Sequence, residues 1–274
     1  MNKTVQYYNG FLGKFDDHFK EHFDKVCTQF QDDQIVMISL VGSQNYNLAT
    51  ETSDYDTKCC VLPSWKNIIQ ADQPYSHTKV LENEEHIDFT DFRSMMAILK
   101  KQNINFLEQL FSCQYLINEI YIEEIRKLIE YREAITRYNP YKCIQTMAGI
   151  AKSKETRVFR RLSEDKNATF ETYGYHPKEL MQLCRIEEFL KRYIKGELFE
   201  FCLKTEQRDW LLQIKNGYYD VDDAYNIMTN KIKSVNQMAD QYFNTHKQTC
   251  NPVVDWTMEE ITENIFRKYL KTYV

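Results

Sequence analysis

The chain has 274 residues, a net charge of -5, a sequence pI near 5.8, 43% hydrophobic residues and 14% aromatics. That length can bury a sizeable core as one large domain or two small ones, and the acidic balance argues against a general nucleic-acid coat protein while leaving room for a local basic groove. Seven glycines and five prolines in such a length favour long helices and exclude a low-complexity protein.

Eight cysteines, Cys27, Cys59, Cys60, Cys113, Cys143, Cys184, Cys202 and Cys250, include no C-x-x-C pair, and several lie in apolar stretches. They read as reduced thiols of an intracellular protein rather than zinc ligands or disulfides. No apolar run approaches ~18 residues and the first residues hold no hydrophobic signal core, so the expectation is a soluble, cytoplasmic chain with no membrane partner.

Residues 12–30 place Phe15, Phe19, Phe23, Val26 and Phe30 at spacings of three and four, one stripe of an amphipathic helix expected to cover a sheet. His18 and His22 sit four apart on it and offer a metal pair in principle. With no further ligand evident, a solvated face is the favoured reading.

An apolar run over residues 35–41 then meets Gly42-Ser43, a short polar segment follows, and a second apolar run opens on Asp54-Tyr55-Asp56. The pattern is strand, tight turn, short helix, strand. Alternation along a strand points Asp54 and Asp56 the same way and Tyr55 into the opposite layer. Two like charges that close repel unless a cation sits between them, and hard oxygen ligands suit Mg²⁺ together with phosphate oxygens. Gly42 lets the backbone approach an anion, and Ser43 can cap the short helix after it, whose free N–H groups would face a phosphate. A phosphate cradle beside a metal-binding pair makes a nucleoside triphosphate site. The blander reading, turn chemistry in a surface loop, is outweighed by the apolar strands on both sides.

Gly42-Ser43 followed by Asp54-x-Asp56 resembles the signature of the DNA polymerase β-like nucleotidyltransferase superfamily. The fuller string, Gly42-Ser43-Gln44-Asn45-Tyr46-Asn47-Leu48-Ala49 with Ser53-Asp54-Tyr55-Asp56, is similar to the branch that includes RNA-repair-associated and phage-encoded nucleotidyltransferases. That branch usually has Gly after the Tyr; Asn47 stands here, a residue that tolerates left-handed backbone. The resemblance implies an α+β fold, a polymerase-β-like mixed sheet with flanking helices, followed by an all-α C-terminal domain.

Further on, Pro63-Ser64-Trp65 starts a short helical segment to about residue 70, and Pro74 ends any continuation. Strands are expected over residues 78–81 and 85–89, with Ile87 and Phe89 turned to the core and His86, Asp88 and Thr90 on the other face. Asp88 is then the natural third carboxylate. The resemblance, carried here by Glu85-His86-Ile87-Asp88 through Asn103-Ile104-Asn105-Phe106-Leu107-Glu108, implies an acidic residue at this place in the fold. Glu84, Glu85 and Asp91 stay open as alternatives, because a one-residue slip flips the face. Asp91 fits better as the cap of a helix over residues 92–101. Glu108, a carboxylate among apolar neighbours, reads as structural ahead of catalytic.

From about Asn118 helical periodicity takes over, with helices expected over residues 120–131, 141–162, 177–193, 206–215, 221–242 and 258–273. Asn139-Pro140, Gly174, Gly196, Gly217 and Asn251-Pro252 punctuate them. Residues 1–117 are accordingly assigned to a nucleotidyltransferase catalytic domain and 118–274 to a helical domain. Lys152, Lys154, Arg157, Arg160 and Arg161 form a basic run that suits phosphates of a nucleotide or RNA as well as it suits a solvated helix face. Tyr173-Gly174-Tyr175-His176-Pro177-Lys178, then Arg185, resembles the Pro-Lys…Arg helix of the same branch, though Met181 and Gln182 stand where that branch often has a His. Lys178 and Arg185 are candidate triphosphate contacts, with Glu179, Glu187 and Glu188 as rival partners. Tyr46, Phe89 and Tyr173 are candidates for stacking on a base.

The expected function is Mg²⁺- or Mn²⁺-dependent transfer of a nucleoside monophosphate from an NTP such as ATP to an acceptor hydroxyl of RNA or protein, with release of pyrophosphate. In it Asp54, Asp56 and Asp88 hold two metals roughly 4 Å apart, and Gly42, Ser43, Tyr46, Lys178 and Arg185 hold the nucleotide. The alternative is a catalytically silent NTP- or RNA-binding module acting through a partner. A toxin-type ribonuclease finds no support, since no Arg precedes His176 or His246 by four to six residues.

Overall fold

The computed structural model describes residues 4–51, 53–161 and 164–271. The sequence-expected helix ends at Leu162 and Tyr273 lie outside the described residues.

The first half alternates strands and helices: β1 (Gln6–Tyr8), β2 (Phe11–Lys14), α1 (Asp17–Cys27), β3 (Ile35–Val41), β4 (Asp56–Val61), α2 (Trp65–Ile69), β5 (Ser76–Val80), β6 (His86–Asp91), α3 (Phe92–Lys100), α4 (Ile104–Leu107), β7 (Tyr115–Asn118), α5 (Ile122–Glu130) and α6 (Arg132–Thr136). Among the described residues seven further helices follow: α7 (Pro140–Val158), α8 (Glu164–Tyr173), α9 (Pro177–Ile194), α10 (Phe199–Leu203), α11 (Arg208–Lys215), α12 (Val221–Thr245) and α13 (Pro252–Lys271). The strands form one mixed sheet in the order β1-β2-β7-β3-β4-β6-β5, antiparallel except for the parallel β4–β6 pair. No helix among the described residues is long and apolar enough to cross a membrane, and all eight cysteines are free thiols.

The expected α+β class is what the chain adopts. Strand β3 has the expected bounds, and all seven of its residues are buried, as a central strand's must be. The expected N-terminal helix is shorter than its apolar stripe suggests. Residues 11–14 pair with β7 instead, where Gly13 is obligatory: a Cβ there would lie 1.8 Å from the Tyr115 carbonyl oxygen. The helix starts only after Asp16, whose side chain accepts from the Phe19 amide and caps it. From there the stripe does as expected. Phe15, Phe19, Phe23 and Val26 are buried against Ile38, Cys59, Val61, Ile87 and Phe89 on one face of the sheet. Each such side chain contributes about 1.5–3 kcal/mol relative to an exposed one.

Contacts divide the chain into two units, Met1–Asn45 with Ala49–Tyr138 and Cys250–Val274, and Tyr46–Leu48 with Asn139–Thr249. This differs from a single boundary at residue 117. Helices α5 and α6 belong with the sheet, and α13 returns to the first unit, where Lys127 pairs with Glu260 and Lys268 with Glu124, both at 2.7 Å, and Phe92 meets Phe266 edge-on. Such side-chain partners, unlike helical periodicity, are not written in local spacing. The second unit is built around α9, whose Leu183, Ile186, Phe189, Leu190 and Tyr193 are at most 1% exposed, with α7, α10, α11 and α12 packed on it.

Gly13→Ala should lower the unfolding free energy by roughly 1–3 kcal/mol through overpacking against β7. Urea denaturation reads it, and an unchanged midpoint would contradict the close approach of the two strands.

Candidate active site

The chain reverses after β3 through one turn of 3₁₀ helix, Gly42–Gln44. Gly42 has φ +80°, a left-handed conformation that costs an L-residue about 1–2 kcal/mol, and no atom lies within 4 Å of where its Cβ would be. Glycine is required there for backbone freedom and not for space. Asn45, 5% exposed, clamps the turn: its Nδ2 donates to the Leu40 carbonyl at 2.9 Å and its Oδ1 accepts from the Cys113 amide at 3.3 Å. Asn47 takes φ +61°, the left-handed backbone its position was expected to need. The Gly42 amide, expected to face an anion, donates to Glu108 Oε2 at 3.3 Å, so the buried Glu108 carboxylate forms a wall of this turn.

Strand register sets what surrounds the turn. Val41 is the partner of Asp56, and β4 lies parallel to β6 with Thr57 opposite Ile87 and Lys58 opposite Asp88. Alternation then puts Asp56, Lys58, His86 and Asp88 on one face, at the end of the sheet where Gly42 leaves β3. Thr57, Cys59, Ile87 and Phe89 fill the other face. Tyr55, buried in the core on the α1 side, points into the opposite layer as expected. Asp54 precedes β4 and is exposed.

Each strand carboxylate is engaged by a cationic or donor group. Asp56 Oδ1 accepts from the His86 amide at 3.0 Å and lies 3.1 Å from His86 Nδ1. Asp88 accepts from Lys58 Nζ at 2.8 Å and from Thr78 Oγ1 at 2.6 Å. Burial opposes ionisation of Asp88, but the Lys58 ammonium and the hydrogen bonds from Lys58 and Thr78 outweigh it and hold the carboxyl below its ordinary range. Lys58 also sits 4.9 Å over the Phe106 ring. Of the alternatives to Asp88, Asp91 is fully buried and caps α3 through the Arg93 amide at 2.8 Å. Glu84 is exposed at φ +66°.

Asp54, Asp56 and Asp88 are hard oxygen donors, exposed or half-buried, and that chemistry fits Mg²⁺ or Mn²⁺. Their oxygens are not gathered into a cage. Among the described residues, the group of three whose ligand atoms all lie within 4.8 Å of one another is His18, His22 and Glu85. The expectation of a solvated face holds for His18, which is exposed, and is corrected for His22. His22 lies on the buried stripe with Phe19 and Phe23 and is 1% exposed, and Glu85, 8% exposed, reaches both rings from the turn before β6.

In the second unit, Arg185 is 8% exposed with its guanidinium carbon 3.7 Å from the centre of the Tyr46 ring. Its expected rivals are otherwise engaged: Glu187 with Lys231 and Ser234, Glu188 with Thr205 and the Glu206 amide, Glu179 with Lys154. No carboxylate among the described residues is within ion-pair range of Arg185. Lys178, the second residue of α9, is exposed, whereas Arg185 is enclosed, so the two share a helix but not a setting. In the basic run Lys152, Arg157, Arg160 and Arg161 are exposed, and Lys154 is bound to Glu179 at 3.0 Å. Sequence reasoning missed Lys58, whose place opposite Asp88 follows only from the parallel register.

A model of the RNA repair pathway DNA polymerase beta family matches residues 15–256. A search of curated proteins gave no match.

Asn45→Ala removes both clamps of the turn, the bond to the Leu40 carbonyl and the one from the Cys113 amide, and the loss of two hydrogen bonds should cost about 1–3 kcal/mol of stability. Chemical denaturation checks it; a loss below a few tenths of a kcal/mol would show that the turn stands without the side chain.

Proposed function

Because the chain belongs to the RNA repair pathway DNA polymerase beta family, we propose that this nucleotidyltransferase moves a nucleoside monophosphate from an NTP to a hydroxyl of RNA. The acceptor oxygen forms a bond to the α-phosphorus, the bond from that phosphorus to the bridging oxygen breaks, and pyrophosphate leaves. The observation that carries the reading is the shared end of the sheet: the register sets Asp56 beside the Gly42-Ser43 turn and Asp88 on the neighbouring strand, same face.

In this reading Asp54, Asp56 and Asp88 would hold Mg²⁺ or Mn²⁺, exchanging their contacts with His86 and Lys58 for the ion. The bound ion neutralises triphosphate charge and lowers the barrier to attack. Asp88 receives the hydrogen bond of the acceptor hydroxyl and its proton as the new bond forms. Gly42 and Ser43 bring backbone close to the phosphates, and Lys58, released from Asp88, supplies a positive charge on the same face. Little covalent chemistry falls to the protein; alignment and charge neutralisation supply the rate.

Tyr46, Lys178 and Arg185 of the second unit are assigned to nucleotide anion binding. Support comes from Arg185, a buried guanidinium stacked on a tyrosine with no carboxylate within ion-pair range among the described residues. A cation so placed is stabilised by a phosphate. RNA is favoured over protein as acceptor by the exposed Lys152, Arg157, Arg160 and Arg161 in an otherwise acidic chain. A second reading, a silent NTP- or RNA-binding module, has one observation in its favour: Asp56 and Asp88 are already engaged by His86 and Lys58.

The test is incubation of the full chain with each α-labelled NTP, Mg²⁺ or Mn²⁺, and cellular RNA or protein. Label should enter RNA, and Asp54→Asn and Asp56→Asn should each lower transfer by more than about a hundredfold while leaving the thermal unfolding transition in place. Undiminished transfer by either variant would overturn the carboxylate assignment. NTP binding without pyrophosphate release would favour the silent module, and labelled protein would replace RNA as the acceptor. Arg185→Ala should raise the KM for NTP roughly tenfold or more, the loss of a charged hydrogen bond; an unchanged KM would remove Arg185 from the nucleotide site.

A further inference from the structure

On the α1 side of the sheet, behind Asp56, His18, His22 and Glu85 bring three ligand atoms together: Glu85 Oε2 lies 2.8 Å from His18 Nε2 and 2.9 Å from His22 Nε2. We propose that this cluster is a transition-metal site of the zinc class, separate from the carboxylates that serve phosphoryl transfer.

The donor set is two imidazoles and one carboxylate, which suits Zn²⁺ and not Mg²⁺. The two histidines stand one helical turn apart, so both rings leave α1 on one side. Glu85 comes from the turn between β5 and β6, far from α1 in sequence, and its Oε2 is steadied by Asn83 Nδ2 at 2.7 Å. His22 is oriented from behind, with Nδ1 3.0 Å from Thr57 Oγ1. The Thr57 hydroxyl can either donate to Nδ1 or accept from it. When a metal takes Nε2, the ring proton moves to Nδ1 and the bond to Thr57 persists with donor and acceptor exchanged.

Tetrahedral bonds of about 2.0–2.1 Å set neighbouring ligand atoms roughly 3.3 Å apart. The cluster needs to open by about half an ångström, within the freedom of the half-exposed His18 ring. Three protein ligands leave a fourth position, and His22, Glu85 and Asn83 line a surface cavity of about 480 Å³ through which an ion and a water molecule can enter. Tyr55 ties this cluster to the strand motif. Its ring stacks on His18 at 4.3 Å and meets His22 edge-on at 5.6 Å, and it stands between Asp54 and Asp56 in the chain. An ion here pins α1 to the β6 turn and holds Tyr55 from behind.

The experiment strips the full chain with a chelator, adds Zn²⁺, removes excess by gel filtration, and measures bound metal together with the thermal unfolding temperature. One Zn²⁺ per wild-type chain with a raised unfolding temperature is expected, and Asp56→Asn should retain it. His18→Asn, an exchange at a half-exposed ring that leaves the core intact, and Glu85→Gln should each weaken Zn²⁺ binding at least tenfold in competition with a chromophoric chelator. Absence of bound Zn²⁺ in the wild type overturns the proposal. So does undiminished affinity in both variants, which would assign any bound metal to cysteines or to the carboxylates. Because none of these readings uses nucleotide transfer, an inactive enzyme that binds Zn²⁺ as described still upholds this site.

Discussion

The parallel pairing of β4 with β6 is the constraint on which the molecule's chemistry depends. With Thr57 opposite Ile87 and Lys58 opposite Asp88, every second residue of both strands is assigned to one of two faces. One face receives Asp56, Lys58, His86 and Asp88, and the other receives Thr57, Cys59, Ile87 and Phe89. A slip of β6 by one residue against β4 would bury Asp88 beneath α1 and expose Ile87 and Phe89, a change on the scale of the roughly 5–15 kcal/mol by which a domain is stable. The polar face is secured by its neighbour's aversion to water.

That aversion is supplied by α1. Its aromatic stripe covers the apolar face, so the strand carrying Asp56 cannot rotate without exposing Phe19 and Phe23 from a 0% exposed state. Tyr55 belongs to the same layer, hydrogen-bonded through its hydroxyl to Asp16 Oδ1 at 2.9 Å. Burial, and then the Asp16 carboxylate, push its pKa up, so the hydroxyl keeps its proton and the bond its direction. The capping residue of α1 thus also fixes the middle residue of the acidic motif. Asp16 is further held by Gln114, its Oδ2 accepting from Nε2 at 2.8 Å.

Much of this was legible in the chain itself, and what was not has physical causes. Strand β3 could be bounded because a run of seven residues, six of them apolar, between an Asp-rich turn and Gly42 admits little else, and the faces of Ile87, Phe89 and Asp88 followed from alternation alone. Asp91 as the cap of α3 followed from the helical spacing after it. By contrast β1, β2 and β7 are three or four residues long, too short to show a period, and β2 exists through its pairing with residues 115–118, about a hundred positions on. Helix α8 has almost no apolar stripe and left no periodic mark. His22 was on the buried stripe by its own spacing with Phe19 and Phe23, a signal that a partner was needed. The partner, Glu85, was in view as a carboxylate but is joined to α1 only by the sheet. Lys58 was hidden for the same reason.

The central claim is that Asp54, Asp56 and Asp88 jointly hold a divalent ion against the phosphates of an NTP. Anomalous scattering from Mn²⁺ in crystals grown with a non-hydrolysable NTP tests it most directly. The account predicts Mn²⁺ peaks bounded by these three carboxylates, with the triphosphate reaching the Gly42-Ser43 turn. Mn²⁺ and nucleotide bound elsewhere, with Asp88 still paired to Lys58, would contradict it.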